Sequence, residues 1–208
     1  LTATSSAVAA EAGDGVRRTL SKTTGKWYWE VTVGVDANVS IGVANASANL
    51  DTGGANYIGF DNNGLGILGS NGNIAKNGAT VGTISALATS DIISIAYDAD
   101  SGTVAFRKNN GTAVTLSGGN VPTGALFAAV GGQYGVAGAT TSTTTNFGAT
   151  AQTYAPPSGY TAGLYGVSNG FYAASSTALS PSTASLPFSA QDNGANAATS
   201  YLMFKNAN

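Results

Sequence analysis

Residues 25–33 read Gly-Lys-Trp-Tyr-Trp-Glu-Val-Thr-Val, and this stretch decides the fold class of the 208-residue chain. Apolar side chains alternate through it with a period of two, which predicts a β-strand with one buried face. The side chains on the apolar face are Trp27, Trp29, Val31 and Val33. Tryptophans on that face favour core packing over a sugar-stacking platform. Glu30 alternates onto the opposite face, where we expect it to meet solvent.

Shorter apolar runs and tight turns continue this pattern along the chain. The runs are residues 39–43, 91–97, 103–107, 126–130 and 143–147. Asn-Gly pairs recur along the sequence. Because both residues tolerate positive φ, such a pair fits the type I′ hairpin turn. The pairs are Asn63-Gly64, Asn71-Gly72, Asn77-Gly78, Asn110-Gly111, Asn169-Gly170 and Asn193-Gly194. We expect helix only in short pieces, with residues 85–89 as the best candidate.

The composition excludes several classes of partner. Charged residues make up 9% of the chain, far below the roughly 25% of an ordinary soluble domain. The net charge of −2 provides no basic field for nucleic acid. No apolar run approaches the roughly 18 residues of a membrane span, so we expect no membrane insertion. Four basic residues cluster, and we interpret them as solvating charges on a strand edge, with an anion site as the alternative. They are Arg17, Arg18, Lys22 and Lys26.

The residue inventory also argues against an enzyme. The chain has no histidine and no cysteine, so histidine-dependent triads, thiolate metal sites and disulfides are absent. The spacing of the acids nominates no catalytic carboxylate pair. Residues 98–102 begin like a calcium loop, but the twelfth position is Asn109 instead of the required Glu, which favours a hairpin turn. We therefore expect no catalytic residue, no cofactor and no metal.

Six blocks in one order resemble the SPRY family of β-sandwich domains. They are residues 25–33, 41–44, 57–61, 91–106, 126–130 and 146–148. The resemblance implies an all-β, two-sheet antiparallel sandwich of the concanavalin-like jelly-roll kind over residues 1–164. We expect its core to contain Trp27, Trp29, Val31, Ile41, Ile93, Ile95, Phe106 and Phe127. Residues 165–208 are rich in Ser and Ala and are expected to form an assembly arm, or additional strands of the sandwich.

The resemblance further implies that loops of the sandwich hold the ligand. The expected binding residues are Asn45, Asn49, Asp51, Tyr57, Asn62, Asn63, Gln133 and Tyr134. The charge-poor, Gly/Thr/Asn-rich composition is similar to SPRY domains of tailed-phage fibres and other virion proteins. We therefore expect a non-enzymatic virion surface protein, a tail-fibre or head-decoration homo-oligomer that binds a host glycan, a host protein or another virion subunit. The alternative is a secreted or cell-surface domain of cellular origin that binds carbohydrate or protein.

Overall fold

The computed structural model describes residues 2–6, 15–35, 38–50, 57–132 and 140–164, with only the backbone described at 2–6 and 140. These residues form strands, many of them joined by short turns, together with one 3-10 turn at Gly118–Asn120. The strands are β1 Thr2–Ser6, β2 Gly15–Lys22, β3 Lys26–Val33, β4 Val39–Ala44, β5 Gly64–Leu68, β6 Asn73–Lys76, β7 Ala79–Thr83, β8 Ile92–Asp98, β9 Thr103–Lys108, β10 Val114–Leu116, β11 Leu126–Gly132, β12 Thr140–Asn146 and β13 Thr161–Ala162.

The strands assemble into two sheets. Sheet A has the order β1-β12-β3-β8-β9-β10, with the short β13 also pairing with β3, and sheet B has the order β2-β11-β4-β5-β6-β7. All pairings are antiparallel except that of β13 with β3. The predicted two-sheet antiparallel sandwich is confirmed. The expected C-terminal arm, residues 165–208, lies outside the described residues.

The main core contains the inward-facing side chains of both sheets. Trp29 and Val31 from β3 belong to one apolar cluster with Ile41 from β4 and Phe106 from β9. Each is at most 1% exposed, and burying a side chain of this size contributes about 1.5–3 kcal/mol. Trp27 packs against the rim of the same cluster and is only partly buried.

One residue that was predicted to lie in the core, Phe127, lies on the outer face of its strand instead. The inner face of β11 carries Leu126, Ala128 and Val130, which belong to the main core. A period of two then places Phe127 on the outer face, where the Arg17 guanidinium lies 5.2 Å from its ring centroid. The prediction failed because both sets of alternating side chains on the strand contain apolar residues. The three aliphatic side chains occupy the core.

The outer face of sheet B carries small residues and is covered by the described parts of the long β4–β5 connection. We call residues 45–63 the cover segment; its parts 45–50 and 57–63 are described. Ile58 packs on Ala44 and Ala129 in a second apolar cluster. A Cβ at Gly66 would lie 2.5 Å from the Ile58 carbonyl oxygen. Glycine is therefore required for this close approach.

The outer face of sheet A is covered as well, and this corrects the expectation for Glu30. The Glu30 side chain does point away from the main core, but the residue is only 3% exposed. Its carboxylate accepts hydrogen bonds from Tyr28 Oη at 3.1 Å and from the backbone N–H groups of Thr153 and Tyr154. Residues 147–164, which we call the strap, therefore shield it from solvent.

Of the four described Asn-Gly pairs, one, Asn77-Gly78, forms the predicted type I′ hairpin turn; the pairs at 169–170 and 193–194 lie outside the described residues. Asn77 and Gly78 join β6 to β7 with φ of 53° and 74°, as a type I′ turn requires. Asp98 accepts hydrogen bonds from the backbone N–H groups of Asp100 and Ser101, so its loop is a hairpin turn.

The prediction of a helix at residues 85–89 is wrong. Leu87 instead enters the core, and its N–H donates to the Gly69 carbonyl at 2.8 Å.

Candidate binding surface

The cover segment is tied together by two of the asparagines predicted to bind a ligand. Asn45 Nδ2 donates to Asn63 Oδ1 at 3.2 Å, and the Asn45 backbone N–H donates to the Asn63 carbonyl at 2.9 Å. Asn45 Oδ1 accepts from the Ser47 N–H, and Asn63 Nδ2 donates to the Ser47 carbonyl. Because these amides are engaged within the protein, Asn45 and Asn63 position the segment and are poor candidates for direct ligand contact.

Asp61 is a positioning residue that the sequence analysis missed. Its Oδ2 accepts a hydrogen bond from the Asn49 backbone N–H and its Oδ1 one from the Asn63 N–H, both at 2.9 Å. One carboxylate thus joins the first half of the cover segment to the second. The available signal was the motif Asp-Asn-Asn-Gly at 61–64, since Asp side chains commonly accept hydrogen bonds from backbone N–H groups two residues on.

Tyr57 and Phe60 form an aromatic pair on the same segment. Their ring centroids are 5.5 Å apart with an interplanar angle of 76°, an edge-to-face contact, and the Phe60 N–H donates to the Tyr57 carbonyl. Burial raises the pKa of the Tyr57 phenol, so it is neutral at physiological pH. Phe60 is 42% exposed. Tyr57 was among the predicted binding residues and Phe60 was not, although an apolar ring between Gly59 and Asp61 was a usable signal.

Asn62 follows Phe60 by two residues and is exposed. Its Oδ1 accepts a hydrogen bond from the Lys76 ammonium. Lys76 is 8% exposed, so its aliphatic stem is covered and its charged head reaches the polar loop. In the part that the structure describes, the surface near Phe60 therefore offers an amide and a lysine that is already hydrogen-bonded, and the described carboxylate there, Asp61, is engaged as well.

The predicted binding residues that the structure describes do not lie together, because some are near one end of β4 and Tyr57 is toward the other. Asn45 follows Ala44, which pairs with Phe127, whereas Gly132 pairs with Val39 at the other end. Ile58 N–H donates to Ser40 Oγ at 3.2 Å, which places Tyr57 toward the Gly132 end. Three further predicted residues lie outside the described part: Asp51, Gln133 and Tyr134.

The carboxylates of the described chain are all engaged in structural hydrogen bonds. They are Glu30, Asp61, Asp91, Asp98 and Asp100. Within the same residues, no group of three or more potential acidic, histidine or cysteine ligands could hold a metal ion. Nor does any helix among them have the length and apolar character needed to cross a membrane.

The SPRY domain family matches residues 26–150. Among solved structures, the crystal structure of the SPRY domain of human HERC1 is similar, with a TM-score of 0.54 and 16% sequence identity over 65% of this chain and 83% of that one. At this identity the likeness concerns the fold. A comparison with curated proteins finds no match. SPRY domains in general are non-catalytic modules that bind other proteins. Because the family match spans more than half of the residues of this chain, the chain belongs to the SPRY domain family.

Proposed function

We propose that this SPRY domain is a non-enzymatic recognition module that contacts its partner through the aromatic pair of the cover segment. The observation that carries the proposal is the exposure of Phe60, at 42%, edge-on to Tyr57. Phe60 and Tyr57 together present aromatic surface at a fixed position, and aromatic side chains are enriched where proteins contact their partners. Aromatic side chains are also enriched among the residues that dominate binding energy.

The described parts of the cover segment are held in place within the protein itself. Asp61 and Asn63 fasten it through their hydrogen bonds to Asn49, Ser47 and Asn45, and Ile58 anchors it in an apolar cluster. A pre-ordered loop loses less conformational entropy on binding than a free one. This arrangement supports a recognition surface with a defined shape.

We further propose that the module acts on the surface of a virion, where it contacts a host glycan or another virion subunit. An aromatic face can stack on a neutral sugar, and the Asn62 amide can hydrogen-bond to its hydroxyls. The charge-poor composition, with 9% charged residues, supports the proposal. Mass spectrometry of purified particles tests it: the polypeptide should be present in many copies. Recovery from a cellular secreted fraction alone would favour the cellular alternative.

The contact itself is tested with Phe60→Ala and Tyr57→Ala, compared with Val35→Ala. Val35 is 63% exposed and follows β3, so it is a matched apolar control away from the cover segment. Binding to host cells, a glycan array and purified particles should fall at least roughly 30-fold for Phe60→Ala, as expected for a hot-spot side chain. Full binding by both aromatic variants, with melting temperatures like that of the wild type, would disprove the proposed surface.

Residues 165–208 remain a proposed assembly arm. Leu164, the last described residue, is 1% exposed and belongs to the main core, so a truncation after it keeps the described sandwich whole. We expect the truncated protein to melt cooperatively but to assemble into fewer or smaller oligomers. Circular dichroism and light scattering measure the two properties. Loss of folding would instead assign the segment to the core of the sandwich.

A further inference from the structure

The basic cluster lies partly on a strand edge as expected, since β2 is the edge strand of sheet B, but Lys22 does not reach solvent there. Lys22 is 6% exposed, and its ammonium lies 3.6 Å from the centroid of the Trp27 ring. The Arg18 guanidinium lies 4.3 Å from the centroid of the Phe147 ring. We call Arg18, Lys22, Trp27 and Phe147 the β2 seam. They lie where β2 of sheet B meets β3 and the end of β12 of sheet A.

Arg18 and Lys22 differ from the other cations of the described chain in having no oxygen acceptor. The remaining five bond a carboxylate, an amide or a carbonyl: Arg17 with Ala46, Lys26 with Asp98, Lys76 with Asn62, Arg107 with Asn110, and Lys108 with Ala86 and Asp91. In the seam, Arg18 Nε is buried without a hydrogen-bond partner. Every carboxylate of the described residues is engaged elsewhere, so none of them neutralises the seam.

The aromatic rings only partly replace the solvent that these cations have lost. A ring face attracts a cation but accepts its hydrogen bonds poorly, so the buried Nε of Arg18 stays without an acceptor. The pKa of Lys22 is lowered, first by burial and then by the charge of Arg18. The charge of Arg18 thus acts on the buried Lys22, and two like charges that no described carboxylate pairs with create a local preference for a negatively charged group.

We propose that the β2 seam binds an oxyanion, a carboxylate, sulfate or phosphate group, carried on a ligand with an apolar or aromatic body. The planar guanidinium of Arg18 suits two parallel hydrogen bonds to such a group, and the Lys22 ammonium adds a point charge. The rings of Trp27 and Phe147 form an apolar wall beside the cations. This site is distinct from the aromatic pair on the outer face of sheet B.

The binding test uses three probes that share one aromatic body: benzoate, phenyl phosphate and neutral benzamide. Trp27 Nε1 donates to the Thr24 carbonyl at 2.7 Å, so its indole N–H resonance reports on the seam. At constant ionic strength, benzoate or phenyl phosphate should shift this resonance saturably, and benzamide or chloride should not. The tighter of the two anions assigns the natural ligand to a carboxylate or to a phosphate or sulfate. An equal shift with benzamide, or no saturable shift with either anion, would overturn the proposal.

The variants Arg18→Met and Lys22→Met identify the groups responsible, with Arg107→Met as the control. Arg107 pairs with Asn110 on an exposed turn, so its loss removes the same charge away from the seam. Each seam variant should weaken anion binding at least tenfold, and the control should leave it unchanged. Without ligand, the seam variants should melt no lower than the wild type, because an unmatched charge has been removed. Lower melting together with unchanged anion binding would instead assign both residues a purely structural role.

Discussion

The Glu30 carboxylate accepts a hydrogen bond from the backbone N–H of Tyr154 at 2.8 Å, across 124 residues of sequence. This contact fastens the strap to the outer face of sheet A. It is reinforced where the Gly163 N–H donates to the Tyr28 carbonyl at 2.6 Å and where β13 pairs with β3. The strap extends beyond residue 150, where the family match ends.

Glu30→Ala should destabilise the protein and loosen the strap first. The substitution leaves the N–H groups of Thr153 and Tyr154 without their acceptor, which we expect to cost about 3 kcal/mol of unfolding free energy. Glu30→Gln keeps one acceptor oxygen and should cost less. Urea denaturation measures the loss, and amide hydrogen exchange at Thr153 and Tyr154 should accelerate more than exchange in β4. Wild-type stability of Glu30→Ala would contradict this role.

Trp29→Ala and Phe127→Ala should differ sharply in their effects. Trp29 is 1% exposed in the main core, so its truncation should cost about 3–5 kcal/mol. Phe127 lies on the outer face under Arg17, and since it is only partly buried, we expect a loss of about 1–2 kcal/mol. Thermal and urea denaturation of both variants measure the difference. Equal losses would show that the assignment of the β11 faces is wrong.

The ion pair of Lys26 and Asp98 should make stability depend on pH in the acid range. The hydrogen bond from Lys26 lowers the pKa of Asp98 to about 2 from its usual 3.8, despite an opposing contribution from partial burial. A carboxyl with a depressed folded-state pKa stabilises the protein above its unfolded pKa and stops doing so as pH falls through the folded value. The stability difference between wild type and Asp98→Asn should therefore shrink between pH 4 and pH 2. A difference that stays constant across that range would refute the pairing.

Gly66→Ala should displace the cover segment, whereas Gly119→Ala should be nearly neutral. The added methyl at position 66 would meet the Ile58 carbonyl at 2.5 Å, but the one at position 119 meets nothing within 4 Å. Overpacking of this kind typically costs about 1–3 kcal/mol. Urea denaturation gives the cost, and faster exchange of the Asn49 N–H, bonded to Asp61, would report the displacement. Matching stabilities of the two variants would argue against close packing of the segment.

Much of the secondary structure could be read from local pattern because strand periodicity is carried by neighbouring residues. The alternation at 25–33 corresponds to β3, Lys26–Val33, and the paired runs before and after Asp98 correspond to β8 and β9. The turn chemistry of Asn77-Gly78 is likewise local, since positive φ is a property of those two residues. Which face of β11 is buried could not be read from the neighbouring residues alone. The prediction for Phe127 failed for that reason.

Alternation and apolar runs along the sequence predicted six of the strands, β3, β4, β8, β9, β11 and β12, and residue identity alone excludes histidine and cysteine chemistry. The two-sheet class was implied by the resemblance to the SPRY family. Which polar residues meet solvent depends on tertiary packing. Glu30 is covered by the strap and Lys22 by the packing of β2 on sheet A, while Asn45 is engaged by Asn63. Burial of an outer face depends on a segment distant in sequence lying over it, and alternation along one strand carries no information about that segment.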